Sequence, residues 1–149
     1  HGSYAIYFED AREAFGAKFG LDYMNYLNHD CYAPIVEETI RYHKSLRYGS
    51  HPRIDIVYRP TRAAKVVFDY EIHDRDNNDL IATGHSVQVF MDTDYQLVWD
   101  NPEFYSEWKK RWKQRSFATL VRHTIRVKYL PRRLQSVVYR QEMSHISKC

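Results

Sequence analysis

The sequence predicts an α+β domain in which one amphipathic helix packs against an antiparallel sheet. Two observations support this fold class. Apolar residues recur at helical spacing near the amino end, and four segments with strand patterns follow, separated by turn-forming residues. A second helix and one more alternating segment complete the order. With 149 residues, the chain is long enough for one domain with its own core.

The first helix is predicted from Tyr4 to about Phe19. Acidic residues fall largely on its other faces, and Gly20 is placed to terminate it. A lone helix of this kind must bury its apolar stripe against one face of the sheet. The stripe consists of Tyr4, Phe8, Ala11, Phe15 and Phe19.

Four strands are predicted after the helix. The third has the clearest alternation of apolar and charged residues, and the acidic segment 74–79 after it predicts a hairpin turn. Gly84 in the fourth strand predicts a bulge or a close approach of backbone. The predicted strands are Pro34–His43, Arg53–Tyr58, Lys65–Ile72 and Leu80–Met91.

The segment from residue 100 onward predicts a helix and then a strand. Asp100 or Asn101 can cap the helix, and Pro102 suits its first position. Residues 120–129 alternate between apolar and mainly basic side chains, which is typical of a strand.

Charge is divided unevenly along the chain. Residues 1–100 carry a net charge of −6, and residues 101–149 carry +9. A basic end can attract phosphates, nucleic acid or an acidic protein, and a solvated surface explains it equally well. Two cysteines make neither a disulfide framework nor a zinc pattern, so a cytoplasmic protein is expected. No apolar run approaches the roughly 20 residues that span a bilayer.

Three segments together resemble the hotdog-fold acyl-CoA thioesterases of the 4-hydroxybenzoyl-CoA type. They are HGSYAIYFEDAR (1–12), APIVEETIRYHKSLRYGS (33–50) and ATGHSVQVFMDTDYQLV (82–98). The resemblance covers residues 1–110 and implies a long central helix wrapped by an antiparallel sheet of about five strands. It also implies hydrolysis of acyl-CoA or acyl-carrier-protein thioesters, no metal or redox cofactor, and a homodimer or homotetramer with pockets at a shared edge.

The resemblance assigns site roles to the start of the helix. His1 matches a histidine that lies near the thioester in the family, although an exposed terminal residue is an equally good interpretation. Backbone N–H groups at Gly2 and Ser3 match the donors that hold the oxyanion. Tyr4 and Phe8 would line the acyl pocket as part of the core.

The family's catalytic aspartate has no counterpart before His1. Glu9 is the nearest carboxylate within the matched motif, and some hotdog thioesterases carry their carboxylate on the helix. Glu9 could therefore activate water, or it could instead pair with Arg12 or with a neighbouring strand.

Residues 122–142 resemble the family's opening strand and loop, with VVY where the chain would normally run into the histidine. In that register Arg133 occupies the aspartate position and Ser136 a glycine position. Three interpretations remain open: a permuted hotdog whose last strand fills the slot of the first, one unit of a tandem pair, or a chance match. We accordingly predict a single domain over residues 1–149, with residues 111–149 as a basic extension.

Arg59, Arg62 and Lys65 flank the loop between the second and third predicted strands. Cations at a pocket mouth suit the phosphates of coenzyme A, and a plain surface explains them as well. No metal site is predicted, because the histidines lack ligand spacing and the acidic pair at 92 and 94 is typical of a turn.

Three functions are compatible with these observations. A thioester hydrolase is favoured, and a non-catalytic acyl-thioester-binding or assembly protein on the same fold is the alternative. Nucleic-acid binding through residues 109–140 is disfavoured. It would need Trp108, Trp112, Tyr129 and Tyr139 as stacking platforms, and their spacing also fits packing.

Overall fold

A computed structural model describes residues 3–45, 52–119, 125–128 and 136–141. Helices α1, α2 and α3 span Ser3–Phe19, Tyr23–Asn28 and Glu103–Thr119. The strands are β1 Cys31–Tyr32, β2 Ile35–Tyr42, β3 Pro52–Arg59, β4 Lys65–Asp74, β5 Leu80–Asp92, β6 Leu97–Val98, β7 Ile125–Lys128 and β8 Ser136–Gln141. Of the helices described, none is long and apolar enough to cross a membrane.

The helix and the four strands predicted before residue 100 are confirmed within about two residues at their ends. Gly20 follows α1 with a φ of 87°, and its N–H donates to the Gly16 carbonyl at 2.7 Å. A left-handed residue at this position ends the helix, as glycine does most readily. The short α2 is an addition to the predicted elements; Asp22 caps it by accepting from the Asn25 N–H.

The main sheet has the order β2-β5-β4-β3-β8-β7. Neighbouring strands are antiparallel except for β3 and β8, which run parallel. β5 extends beyond its partners β2 and β4, and its last residues pair with the short strands β1 and β6. β2 is an exposed edge strand, so this side of the sheet is open to another surface.

The core lies between α1 and the inner face of the sheet. In β4 the residues at 66, 68, 70 and 72 are buried while those between are half-buried, as alternation predicts. Phe8, Ala11 and Phe15 of α1 are fully buried against this face. The α+β arrangement with a long helix wrapped by an antiparallel sheet is therefore confirmed.

An aromatic cluster surrounds the carboxyl end of α1, where α3 covers the core. Phe15 lies 5.0 Å from Phe68 and 5.6 Å from Trp112 between ring centroids. The indole N–H of Trp108 donates to the Phe19 carbonyl at 2.6 Å, so α3 also satisfies a helix-end acceptor. The cluster comprises Phe15, Phe19, Tyr58, Phe68, Tyr105, Trp108 and Trp112.

The end of the chain adds to the sheet at the free edge of β3. β8 pairs with β3 from Ser136 opposite Arg53 to Gln141 opposite Tyr58, and α1 approaches β8 as well as β3. In the family motif the VVY segment leads directly into the histidine before the helix. Here VVY (137–139) lies within strand β8. Two valines and a tyrosine favour extended backbone, and an unpaired edge at β3 supplies the partner.

Candidate functional site

The predicted site lies at the amino end of α1. Ser3 is the first residue of the helix, so its backbone belongs to the first turn, whose N–H groups have no partner within a helix. His1 and Gly2 lie outside the described residues, and their assigned roles stay predictions. Tyr4 is buried, with its ring 5.1 Å from that of Tyr42 on β2.

Phe8 fills the space between α1 and the sheet one turn further on. Its ring stacks on Tyr70 at 4.3 Å between centroids and lies directly over the backbone of Gly84. A Cβ at residue 84 would overlap the Phe8 ring. The close backbone approach that the sequence predicts at Gly84 is confirmed, and Phe8 is its cause.

A polar network lies beneath the middle of α1. Arg12 Nη1 donates to Glu38 Oε2 and to Tyr70 Oη, each at 3.0 Å. The hydroxyl of Tyr70 also shares a hydrogen bond with that of Ser86, with 2.6 Å between the two oxygens. Burial raises the pKa of Tyr70, so the phenol stays neutral at ordinary pH. The network ties α1 to β2, β4 and β5.

The sequence leaves open whether Glu9 pairs with Arg12. The structure pairs Arg12 with Glu38 on β2, at 3.0 Å, while Glu9 is exposed on the helix. Tyr70 and Ser86 are buried polar residues of this network that the sequence does not single out. The sequence could have indicated them through the alternation of β4 and β5, which places both polar side chains on buried faces. A buried polar side chain needs a hydrogen-bond partner.

The cations assigned to coenzyme A flank the loop 60–64 between β3 and β4. Arg59 Nε lies 2.6 Å from Asp69 Oδ2, and His85 Nδ1 lies 2.7 Å from the other oxygen of that carboxylate. Arg59 is therefore held by an ion pair on the outer sheet face. Arg62 and Lys65 are exposed.

This loop and the amino end of α1 lie at opposite ends of the helix. The loop follows Tyr58, whose ring packs near Phe15 in the aromatic cluster. Tyr4 and Phe19 are separated by about 22 Å at the helical rise of 1.5 Å per residue. The structure thus does not bring Arg62 and Lys65 next to the predicted oxyanion donors of the same chain.

One group of side chains has the composition of a metal site. Ligand atoms of Asp55, Glu71 and His73 lie within 4.8 Å of one another. Arg53 Nε already donates to Asp55 Oδ1 at 3.1 Å, and His73 Nε2 lies 2.8 Å from Glu71 Oε1. These contacts explain the cluster as an ion network on adjacent strands.

The acidic residues near the hairpin turns serve the turns, as predicted. Asp92 Oδ1 accepts from the backbone N–H groups of Asp94 and Gln96, both at 2.9 Å. Asp74 Oδ1 likewise accepts from the N–H of Asp76 at 2.9 Å. Side-chain to backbone bonds of this kind are ordinary turn chemistry.

The tryptophans of α3 belong to the core. Trp108 and Trp112 are buried and stack on each other at 5.2 Å with nearly parallel rings. Neither ring is open to a nucleic-acid base. The side chains of Tyr129 and Tyr139 lie outside those that the structure describes, so their predicted alternative roles stay untested.

A cavity of about 280 Å³ lies between α2 and α3. Trp108 lines it, and this indole also bonds the end of α1, so the cavity lies far from Tyr4. Tyr4 and Phe8 are both buried, and their predicted place along an acyl pocket stays a prediction. The cavity is lined by Asn25, His29, Phe104, Glu107, Trp108 and Arg111.

The sequence profile of the thioesterase-like superfamily matches residues 1–129. No curated protein matches the sequence. Among solved structures, a DHNA-CoA thioesterase from Staphylococcus aureus is similar with a TM-score of 0.65 and 22% identity, covering 81% of this chain and 83% of that one.

Two further structures have the same fold. A 1,4-dihydroxy-2-naphthoyl-CoA thioesterase from Synechocystis has a TM-score of 0.63 and 16% identity, over 73% of this chain and 80% of that one. A Staphylococcus aureus protein solved in complex with CoA has a TM-score of 0.61 and 17% identity, over 72% of this chain and 68% of that one. At these identities the likeness establishes the hotdog fold.

Proposed function

Because the chain belongs to the thioesterase-like superfamily, we propose that it hydrolyses acyl thioesters of coenzyme A to a free acid and a thiol. The family match over residues 1–129 is the observation that carries the proposal. Solved structures of similar fold include thioesterases named for aromatic acyl-CoA substrates, which makes aryl-CoA a sensible first substrate class. An acyl carrier protein is the alternative carrier.

In the proposed reaction a carboxylate takes a proton from water as the water oxygen attacks the thioester carbonyl carbon. Backbone N–H groups of the first turn of α1 hold the developing oxyanion, helped by the helix dipole. Collapse of the tetrahedral intermediate breaks the carbon–sulfur bond, and the protonated carboxyl group returns its proton to the sulfur, which leaves as a thiol. The proposed mechanism uses no metal and no redox cofactor. We expect the protein to act in the cytoplasm.

Glu9 is our candidate for the carboxylate. Its side chain is exposed on α1, and the exposed loop cations lie at the other end of the helix. Both features fit a pocket completed by a second copy of the chain, whose loop would approach the amino end of the first chain's helix. The exposed edge at β2 supplies a surface for such pairing.

A panel of aryl-CoA and fatty acyl-CoA esters with a thiol reagent tests the proposal. We expect thiol release by the wild type and a loss of kcat of at least about 100-fold in Glu9→Gln, the scale of a lost general base. Glu13→Gln is the matched control, since residue 13 lies one turn along the same helix and is also exposed. Absence of thiol release from every ester, with no binding, would exclude the proposed function.

The alternative is a non-catalytic acyl-thioester-binding protein. It is favoured by the sequence, because Arg133 stands at the position of the family's catalytic aspartate in the register of residues 122–142. Calorimetry together with the thiol-release assay separates the two functions. The alternative predicts saturable binding of acyl-CoA by calorimetry and no thiol release.

A further inference from the structure

The loop 60–64 is fastened to α3 through its backbone. Lys109 Nζ donates to the carbonyls of Thr61 at 2.7 Å and Ala63 at 2.9 Å. Its third hydrogen bond goes to Asn101 Oδ1 at 2.8 Å. An ammonium group has three N–H donors, so all three are engaged.

Two more side chains hold the same stretch. The amide of Asn101 donates to the Arg62 carbonyl at 2.9 Å, and the hydroxyl of Tyr105 donates to the Lys65 carbonyl at 2.6 Å. The carbonyls of residues 61, 62, 63 and 65 are therefore all bound by side chains between 39 and 48 residues away in sequence. Lys109 also lies 4.4 Å above the ring of Tyr105, which stabilises its charge.

Such fastening is unusual for an exposed loop. Loop carbonyls normally bond water and remain mobile, because little tertiary structure constrains them. Here Tyr105 is itself fixed, since it is fully buried and its hydroxyl lies 2.8 Å from that of Tyr58. The loop is thus anchored to the aromatic cluster, while the side chains of Arg62 and Lys65 project into solvent.

We propose that Lys109, Asn101 and Tyr105 form a clamp that positions loop 60–64 so that Arg62 and Lys65 bind the phosphates of coenzyme A. The clamp residues are positioning residues, since they contact the loop backbone and leave the two exposed cations free to meet a ligand. The choice of coenzyme A rests on the proposed function; the fastening of the loop does not.

The clamp has a built-in dependence on pH. Burial lowers the pKa of Lys109 to about 8. The titratable group closest to its ammonium is Tyr105 on the same helix, whose pKa burial raises well above the usual value. The other contacts of the ammonium are neutral oxygens of Thr61, Ala63 and Asn101. Above a pH of about 8 the neutral amine has two N–H donors for three acceptors, so the loop loses a bond.

Trypsin cleavage tests the clamp directly. Cleavage after Arg62 requires the loop to open, whereas cleavage after Arg75, in an exposed turn, provides an internal reference. We expect Lys109→Met to raise the ratio of the two cleavage rates by about tenfold, the equivalent of one lost charge-assisted bond. The control Lys110→Met removes an exposed lysine that pairs with Glu107, and leaves the ratio unchanged.

Three further readouts separate positioning from a general loss of stability. Lys109→Met raises KM for acyl-CoA by about tenfold with kcat within about twofold, as for lost uniform binding. The wild-type cleavage ratio rises above a pH of about 8, and Lys109→Arg, which stays charged, abolishes that rise. A ratio that does not change in Lys109→Met, or a parallel rise at both sites, overturns the clamp. A wild type that neither binds coenzyme A nor hydrolyses its thioesters overturns the assigned ligand together with the proposed function.

Discussion

The two ends of α1 are built differently. At the carboxyl end, Phe15 is enclosed by aromatic rings from the sheet and α3, and the neighbouring loop is clamped. At the amino end, Phe8 fills a narrow gap over Gly84, while Ile6 and Glu9 are exposed. Under the proposed function, the carboxyl end with its clamped loop presents charge, and a second copy of the chain completes the site at the amino end.

The largest expected effect is at the rigid end. Phe15→Ala removes a fully buried ring and should lower the free energy of unfolding by about 3–5 kcal/mol. Ile6→Ala on the open end, where the side chain is 41% exposed, should cost less than about 1 kcal/mol. Urea unfolding of the two variants measures the difference. Equal losses would contradict the contrast.

The gap beneath Phe8 is tested by Gly84→Ala. The added methyl group would overlap the Phe8 ring, so overpacking should cost about 1–3 kcal/mol of unfolding free energy. Phe8→Leu in the same chain removes the obstructing ring, and the double variant should recover part of the loss. Additive losses in the double-mutant cycle would show that Phe8 is not the obstacle.

A smaller effect is expected from the network under α1. Arg12→Met leaves Glu38 without its cation at a partly exposed position, so about 1 kcal/mol should be lost. Combination with Glu38→Gln should restore part of that loss, because both ends of the pair are then uncharged. Thermal unfolding of the wild type, the two single variants and the double variant measures the coupling energy. A coupling energy of zero would show that the ion pair does not stabilise the fold.

The smallest effect concerns acid stability near the clamped loop. Burial acts to raise the pKa of Asp69, but hydrogen bonds from His85 and Arg59 outweigh it and lower the pKa below its ordinary value of 3.8. A carboxyl group with a lowered pKa in the folded state stabilises the protein above pH 3.8, and this contribution is lost as the pH falls further. Wild type and Asp69→Asn should therefore converge in urea midpoint on acidification. A constant difference down to a pH of about 2 would contradict this.

The helix and the long strands could be predicted because their periods are local properties of the sequence. Gly84 could also be predicted as a close approach, since a glycine inside a strand often marks a point where another group meets the backbone. The match of residues 1–12 with a thioesterase motif led to the correct family.

Contacts across the fold could not be predicted in the same way. The pairing of Arg12 with Glu38 depends on which strand lies under the helix, and several carboxylates were equally available in sequence. Lys109 binds backbone carbonyls 46 and 48 residues away, and carbonyls are the same at every position. β8 pairs with the edge of β3. A last strand within the sheet is one of the three interpretations that the sequence leaves open, and alternation in the tail does not choose among them.

The central claim is that the loop cations bind the phosphates of coenzyme A while the thioester is hydrolysed at the amino end of α1. Thiol-release kinetics on two thioesters of the same acyl group test this claim most directly. Coenzyme A bears the phosphates, and N-acetylcysteamine lacks them. We predict that the double variant Arg62→Ala, Lys65→Ala raises KM for the coenzyme A ester by about tenfold or more, while kcat/KM for the truncated ester stays within about twofold. Equal losses on both esters, or unchanged kinetics on both, would contradict the account.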